Sequence, residues 1–184
     1  MATEKGERRR QALTEAAGEL LREGGFDALR HRAVAERAGL PLASTTYYFD
    51  SLDDLITAAV EHTSRQDLAA GRAALGSGGE PLAVVLDQLL GPGSRDGGLD
   101  AVLLRYEQLV GAGRRPYLAP LMRKLRPELD VLLGEAFARA GHVLDVEGVR
   151  RVVETVDGAV ISALMESDPD PRAVARAAMG RALS

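Results

Sequence analysis

The sequence contains no cysteine, and this absence excludes several kinds of site at once. Disulfides, zinc centres with thiolate ligands and cysteine nucleophiles all require a thiol. The three histidines, His31, His62 and His142, are far apart and lack the spacing of paired metal ligands. The glycine-rich segment 91–98 lacks the spacing of a phosphate-binding loop, and no Ser/His/Asp arrangement is evident. We therefore expect a protein that is not an enzyme and that needs neither a cofactor nor a metal.

Long apolar runs are also missing. No stretch approaches the roughly 18 consecutive apolar residues of a membrane-spanning helix. The basic residues Lys5 and Arg8–Arg10 are not followed by an apolar segment, so the pattern of a signal peptide is absent. We expect a cytoplasmic protein without a membrane partner. Its 184 residues, 46% of them hydrophobic, can bury the core of one large domain or two small ones.

Positive charge is scarce where a nucleic-acid-binding protein would need it. Residues 1–50 carry eight Lys/Arg and eight Asp/Glu, and the remaining chain supplies the whole net charge of −4. The cations nevertheless cluster at Lys5 with Arg8–Arg10 and at Arg30 with Arg32. Because DNA binding depends on phosphate neutralisation, this distribution permits DNA binding without requiring it. Arg8–Arg10 could equally be a solvated first helical turn.

Helical periodicity extends along the whole chain. Apolar residues recur at the three- and four-residue spacing of buried helix faces, and no pair of strand-like segments occurs. The pattern predicts an all-α fold of about nine helices, at residues 5–23, 30–38, 41–48, 51–75, 81–90, 99–112, 116–140, 146–165 and 171–182.

The stretch from Leu29 to Leu55 has the pattern of a helix-turn-helix. Gly39 ends a short apolar-striped helix, where glycine adopts the left-handed conformation without steric cost. Pro41 suits the first turn of the next helix, because its missing N–H would have no partner there. Two short helices joined by such a turn are typical of a unit whose second helix enters the DNA major groove.

At these residues the sequence resembles the TetR family of transcriptional regulators. The resemblance is carried by Ala35-x-x-Ala38-Gly39-Leu40, followed at matching spacing by Ser44 and Tyr47-Tyr48-Phe49, and it extends from about Lys5 to Leu55. It implies a three-helix DNA-binding head at residues 1–50 and a helical ligand-binding and dimerisation domain at residues 51–184. It also implies that helix four transmits ligand occupancy to the head.

Several positions depart from the family pattern. Arg30 stands where a serine or threonine usually caps helix two, and Pro41 where a serine usually caps helix three. Thr46 replaces a usual tyrosine, and Leu52 replaces a usual lysine that contacts phosphate. These differences leave the expected fold intact but make the operator sequence impossible to infer.

The resemblance implies a set of DNA-contacting residues. Small and hydroxylated side chains of the second helix would read base edges, and the tyrosine hydroxyls would bind phosphates. Arg32 could instead be an ordinary surface arginine, and His31 is better explained as a packed core residue than as a DNA contact. The expected DNA-binding residues are Arg30, Arg32, Leu42, Ala43, Ser44, Thr46, Tyr47 and Tyr48.

The same resemblance implies an effector pocket and a dimer interface in the helices that follow. Polar residues among leucines and valines are typical of a small-molecule site, although each could also be an ordinary core or surface residue. The candidate pocket residues are Gln88, Tyr106, Glu107, Met122 and Asp157. The candidate interface residues, on the last two helices, are Val149, Val153, Val156, Val160, Leu164, Val174, Ala177 and Ala178.

Together these expectations describe a ligand-responsive transcriptional regulator. As a homodimer it would bind a palindromic double-stranded operator and be released by a small-molecule effector, most simply as a repressor, with activation as the other possible sign. A helical scaffold or binding protein without site-specific DNA recognition is the alternative. That alternative does not explain why the chain contains a helix-turn-helix pattern from Arg30 to Tyr48.

Overall fold

The structure, a computed structural model, describes residues 4–96 and 98–184. Within these ranges the chain forms nine α-helices and three short 3-10 segments, and no strand. The α-helices are α1 (Glu4–Gly24), α2 (His31–Arg37), α3 (Leu42–Tyr48), α4 (Leu52–Gly76), α5 (Pro81–Leu90), α6 (Gly98–Gly113), α7 (Ala119–Arg139), α8 (Val146–Met165) and α9 (Pro171–Leu183). The 3-10 segments are Phe26–Ala28, Pro92–Arg95 and Pro116–Leu118.

The predicted all-α fold of nine helices is confirmed within the described residues, and local capping signals fix the N-termini of several of these helices. The Ser51 hydroxyl accepts a hydrogen bond from the Asp54 N–H at 3.1 Å, and α4 begins at the next residue. Asp145 and Asp170 cap α8 and α9 in the same way, accepting from the N–H groups of Gly148 and Ala173. The segment expected to be a loop at 91–98 instead contains a 3-10 turn, in which the Ser94 hydroxyl donates to the Gly91 carbonyl at 2.7 Å.

Two compact units divide the chain. Unit 1 comprises the chain up to Gln66 together with Gln108–Leu121, and unit 2 comprises Asp67–Glu107 and Met122–Ser184. Helices α4, α6 and α7 therefore contribute residues to both units, α7 only its first residues, Ala119–Leu121, to unit 1. The expected division after residue 50 stays a prediction, since a periodicity argument assigns whole helices to domains.

Unit 1 is built around the crossing of α1 with α2 and α3. Apolar side chains from each element are almost completely removed from water, including Leu13 and Ala17 of α1 and Val34 of α2. Phe49, at the end of α3, is 3% exposed and closes the same core. Burial at this level stabilises the fold by roughly 1.5–3 kcal/mol for each large apolar side chain.

Unit 2 has a larger core, in which α8 packs closely along α9. The fully buried side chains include Leu86 and Leu90 of α5, Leu133 and Phe137 of α7, and Met179 of α9. No helix in the described ranges is both long enough and apolar enough to cross a lipid bilayer.

Candidate nucleic-acid interface and ligand site

The turn between α2 and α3 has the geometry that the sequence predicts. Gly39 has φ +64°, the left-handed region in which a side chain would be strained. The Leu40 N–H donates to the Ala35 carbonyl at 3.0 Å, so the chain reverses tightly after α2. Pro41 is the residue before α3, and its carbonyl accepts from the Ser44 N–H at 2.8 Å. This turn fixes the direction in which α3 leaves α2.

One side of α3 is turned to solvent and the other to the core. Leu42, Ala43, Thr46 and Tyr47 are exposed, with Tyr47 79% accessible. Ser44 and Tyr48 are half-buried at the margin, and the Tyr48 ring meets Tyr47 edge-on with centroids 4.8 Å apart. In contrast, Thr45 is fully buried. The residues expected to face DNA therefore form an accessible surface.

The arginines of α2 differ in their surroundings. Arg30 is the exposed N-cap residue of α2 and makes no side-chain cap hydrogen bond, and Arg32 is also exposed. Arg37 forms ion pairs with Glu19 and Glu23 of α1, so it holds α2 onto α1. Arg30 and Arg32 remain accessible to a phosphate. His31 between them is half-buried, with its Nδ1 atom shielded from solvent, which agrees with a packing role.

Unit 2 brings together two of the residues expected in an effector pocket. The Tyr106 hydroxyl of α6 donates a hydrogen bond to Asp157 Oδ1 of α8 at 2.7 Å, across 51 residues of sequence. Tyr106 is buried and Asp157 is half-buried. The pair therefore places a carboxylate with a neutral hydrogen-bond donor inside a helical bundle.

The environment of this pair disfavours negative charge. Burial raises the pKa of the Asp157 carboxyl above its ordinary value, although the Tyr106 hydrogen bond acts in the opposite direction. Burial, followed by the nearby Asp157 charge, raises the pKa of the Tyr106 phenol, which therefore stays protonated and a donor. A carboxyl with a perturbed pKa in the interior is a recognised sign of a functional site.

The other expected pocket residues lie in different surroundings. The Gln88 side chain is buried and donates to the Asp67 backbone carbonyl of α4 at 2.9 Å, and the Gln88 backbone carbonyl accepts from the Arg105 side chain. Glu107 is exposed, so it does not line an interior site, and Arg105 faces Asp67 instead of Glu107. Met122 is half-buried. Periodicity could not determine which side of α6 faces inward.

The residues expected at a dimer interface are mostly buried inside the single chain. Leu164 and Val174 are half-buried, and Ala177 is exposed. The other five are at most 4% exposed, so their side chains form the core of the protomer, and a dimer contact through α8 has to use other residues; the five are Val149, Val153, Val156, Val160 and Ala178. An apolar stripe marks the buried face of a helix without specifying whether its own chain or a second chain covers it.

The outward side of α8 carries a second, smaller apolar set. Ile161 is 46% exposed and Met165 is 82% exposed. Gly158 and Ser162 are exposed on the same side, at the three- and four-residue spacing of one helix face. A Cβ added at Gly158 would have no atom within 4 Å, so packing inside the protomer does not explain this glycine.

A buried carboxylate with two arginine partners was not anticipated from the sequence. Asp130 of α7 is 5% exposed and accepts hydrogen bonds from Arg126 at 2.8 Å and from Arg150 of α8 at 2.7 Å. The four-residue spacing of Arg126 and Asp130 is a signal for the first pair. The sequence carries no signal for Arg150, which lies 20 residues away.

Contacts of α6 with the end of α1 were also not anticipated. The Gln108 side chain donates to the Leu21 carbonyl at 2.6 Å. Gly111 lies so close to Phe26 that an added Cβ would be 2.9 Å from its ring, and the Arg115 guanidinium lies 3.9 Å from the ring centroid. Within unit 1, residues 108–115 therefore contact both the end of α1 and the segment that connects α1 to α2.

Comparisons with family models cover both parts of the chain. Residues 13–59 match the model described as bacterial regulatory proteins, tetR family. Residues 78–184 match the model described as the tetracyclin repressor-like C-terminal domain. A comparison with curated protein sequences gives no match.

Solved structures share the fold along nearly the whole length. The multidrug binding protein EbrR, complexed with proflavin, is 32% identical with a TM-score of 0.68, over 95% of this chain and 99% of that chain. EbrR has also been solved with imidazole, malachite green and ethidium. A TetR-family member from Streptomyces coelicolor A3, SCO1917, is 31% identical with a TM-score of 0.61, covering 96% of this chain and 98% of that chain.

Proposed function

Because the chain belongs to the TetR family of transcriptional regulators, we propose that it is a ligand-responsive repressor. As a homodimer it binds a palindromic operator, and a small organic cation bound beside Asp157 releases it. The proposal is carried by one observation, the Tyr106–Asp157 pair in the part of the chain that matches the C-terminal family model.

The exposed side of α3 is the proposed reading surface. Leu42 and Ala43 offer apolar contact to thymine methyl groups, and the Thr46 hydroxyl can hydrogen-bond to a base edge. Tyr47, Tyr48 and Ser44 offer hydroxyls to phosphates, as Arg30 and Arg32 offer charge. One such surface reads only a few base pairs, so a two-fold dimer is needed to read a long operator.

We place the dimer contact on the outward side of α8 and α9. The exposed Ile161 and Met165, with the exposed Gly158 on the same helix face, allow a symmetry-related helix to approach closely. Ala177 contributes from α9. Ile161→Glu should convert a dimer into a monomer, whereas Val131→Glu, at a 69% exposed valine of α7, should leave the dimer intact. Sedimentation equilibrium of the two variants tests this placement.

A cation is the effector class that best matches the proposed site. The nearby arginines already face other carboxylates: Arg126 binds Asp130 and Arg105 faces Asp67. Asp157 instead accepts its hydrogen bond from a neutral phenol and feels Arg126 and Arg105 only from a distance, so a bound cation would supply the direct ion pair. The EbrR complexes with proflavin, ethidium and malachite green, which are aromatic cations, support this choice.

Helix α6 offers a route from the effector to the head. Tyr106 is only two residues from Gln108, whose side chain binds the end of α1, and Gly111 and Arg115 hold Phe26 farther along. A ligand that displaces Tyr106 would act along the chain of α6 on the contacts of Gln108 with Leu21 and of Gly111 with Phe26. The ligand thereby favours an arrangement of the two heads that does not fit the operator.

Binding to DNA is the first test. Full-length protein should protect a two-fold-symmetric sequence in the DNA that flanks its own gene, and the protection should weaken steeply as salt is raised. Transcription from that DNA in vitro should fall when the protein is added, and a rise would instead make it an activator. Absence of any site-selective protection at low salt would contradict the proposal.

The effector class is tested separately, without DNA, because proflavin and ethidium also bind DNA. Ethidium should bind the free protein by calorimetry, and the anionic dye fluorescein should not. Asp157→Asn keeps an acceptor for Tyr106 but removes the charge, so it should weaken ethidium binding at least tenfold, about 1.4 kcal/mol. Glu147→Gln, which removes an exposed carboxylate near the start of α8, is the matched control and should bind normally.

A further inference from the structure

Helix α3, which is proposed to enter the DNA groove, and the residues that follow it contain no lysine or arginine. Between Arg37 and Arg65 the sequence contains no lysine or arginine, whereas Asp50, Asp53 and Asp54 lie within this stretch. Arg37 itself is paired with two glutamates of α1. Since the affinity of proteins for DNA depends strongly on neutralised phosphates, the cations must come from neighbouring elements, and Arg30 and Arg32 at the start of α2 are only two of them.

One face of α1 borders the start of α3 and is basic. Lys5, Arg8 and Arg9 lie with Ala12 at the spacing of a single helix face, and all three cations are exposed. Together with Leu40, which comes two residues before α3, these residues line a shallow hollow of about 420 Å³. Arg8 also pairs with Glu4, but both side chains are more than 70% exposed, so this pair is readily exchanged for a phosphate.

A fourth cation of α1 lies at the opposite end of α3. The Arg10 guanidinium is 5.0 Å from the centroid of the Phe49 ring, and Phe49 directly follows the last residue of α3. This cation–π contact holds Arg10 beside the C-terminal end of the helix. The first turns of α1 therefore place positive charge beside both ends of a helix that has none.

We propose that Lys5, Arg8 and Arg9, here called the α1 basic face, bind the phosphate backbone of duplex DNA next to the groove that α3 enters. The proposal rests on the proposed function, since α3 must dock for the face to meet a phosphate. The α1 basic face supplies affinity and salt dependence without sequence information, and the hydroxyl-bearing surface of α3 supplies selectivity.

The salt dependence of DNA binding tests this division of labour. Full-length protein first selects a preferred sequence from a random duplex library of about 30 base pairs, close to three helical turns. Affinity for the selected duplex and for a mixed-sequence duplex is then measured at several salt concentrations. Lys5→Gln/Arg9→Gln should reduce the slope of log K against log salt by about 2 for each bound head, because each phosphate contact contributes about 0.9.

The matched control removes the same charges elsewhere. Arg123→Gln/Lys124→Gln, at two exposed neighbours of α7, loses one lysine and one arginine and should leave the slope unchanged. In the α1 variant the preference for the selected over the mixed duplex should change less than about twofold, because phosphate contacts carry no sequence information. Thr46→Ala should instead lower that preference at an unchanged slope.

The outcomes separate the two proposals. If the wild type selects a sequence but the α1 variant keeps its slope, or if the α7 control loses as much slope, the α1 basic face is not a phosphate site. If the wild type selects no sequence, the proposed regulator fails, and the mixed-sequence duplex still decides whether the α1 basic face binds phosphates.

Discussion

Two carboxylates of unit 2, Asp130 and Asp157, have opposite kinds of partner. Asp130 joins α7 to α8 and accepts from Arg126 and Arg150, so its charge is matched by two cations. Asp157 joins α8 to α6 and accepts from the uncharged Tyr106, and burial raises its pKa. The difference indicates that Asp130 stabilises the fold, whereas the charge of Asp157 is stabilised by Arg126 and Arg105 only from a distance and can attract a bound cation.

Replacing Asp130 should lower the free energy of unfolding more than any of the other substitutions described below. Asp130→Asn removes the negative charge and leaves a single oxygen for the two arginines, so we expect the free energy of unfolding to fall by about 2–3 kcal/mol. The half-exposed arginines can turn to solvent, so the loss lies below the usual range for a fully buried pair. Urea denaturation measures it. Glu135→Gln, at an exposed pair with Arg139 on the same helix, is the control, with an expected loss below about 0.5 kcal/mol. Equal losses in the two variants would remove the distinction.

Removing the Tyr106 hydroxyl should lower the free energy of unfolding by less than the Asp130 substitution does. Tyr106→Phe deletes the hydroxyl that Asp157 accepts from, so we expect a loss of about 1–2 kcal/mol. The hydrogen bond favours the charged carboxylate, so the loss should grow as pH rises through the Asp157 pKa. Denaturation at several pH values tests this, and a loss independent of pH would show that Asp157 is not ionised in the folded protein.

Replacing Asp157 by a neutral side chain should raise the free energy of unfolding, by less than the other two substitutions lower it. Because the folded-state pKa of Asp157 lies above its ordinary value of 3.8, ionisation destabilises the folded state. The stability associated with protonated Asp157 is present at low pH and is lost as pH rises through the folded-state pKa. Asp157→Asn should therefore stabilise the protein near neutral pH by about 1 kcal/mol, the usual scale for one substitution.

The pH dependence sharpens this prediction. The difference in unfolding free energy between Asp157→Asn and the wild type should increase with pH above 3.8 and level off above the folded-state pKa. If Asp157→Asn is less stable than the wild type, Asp157 stabilises the fold as Asp130 does, and the contrast between the two carboxylates is wrong.

The last prediction concerns the pH dependence of ligand binding. Ethidium binding to the wild type should weaken as pH falls through the raised Asp157 pKa, because protonation removes the charge that attracts the cation. The variant Asp157→Asn should show weak binding that does not depend on pH. If ethidium binding to the wild type and to Asp157→Asn depends on pH in the same way, a group other than Asp157 causes the dependence.

The helices and the helix-turn-helix could be predicted from local sequence, since their causes are local. Ser51, Asp145 and Asp170 cap helices through bonds that span three residues, and Gly39 makes its turn through its own φ. The outward side of α3 was expected from the family resemblance, and the burial of Thr45 and Phe49 on its other side agrees with that expectation.

Two assignments failed to follow from the sequence because they depend on which surfaces meet. Val153 and Val160 lie on the most regular apolar stripe of α8, yet the protomer itself covers them, and Ile161 and Met165 are left outside. Glu107 and Tyr106 are neighbours in sequence, but only Tyr106 points inward. A periodic pattern identifies the buried face of a helix without identifying its partner.

The sequence by itself determined the all-α class, the position of the helix-turn-helix and the scarcity of cations after Arg37, because each depends on residue type and short-range spacing. Only the tertiary structure decided that Tyr106 binds Asp157, that two arginines share Asp130, and that α1 places its cations beside the ends of α3. These pairings join residues 20 to 51 positions apart, or different helices of the head, and they depend on side chains whose direction is fixed only when the helices pack.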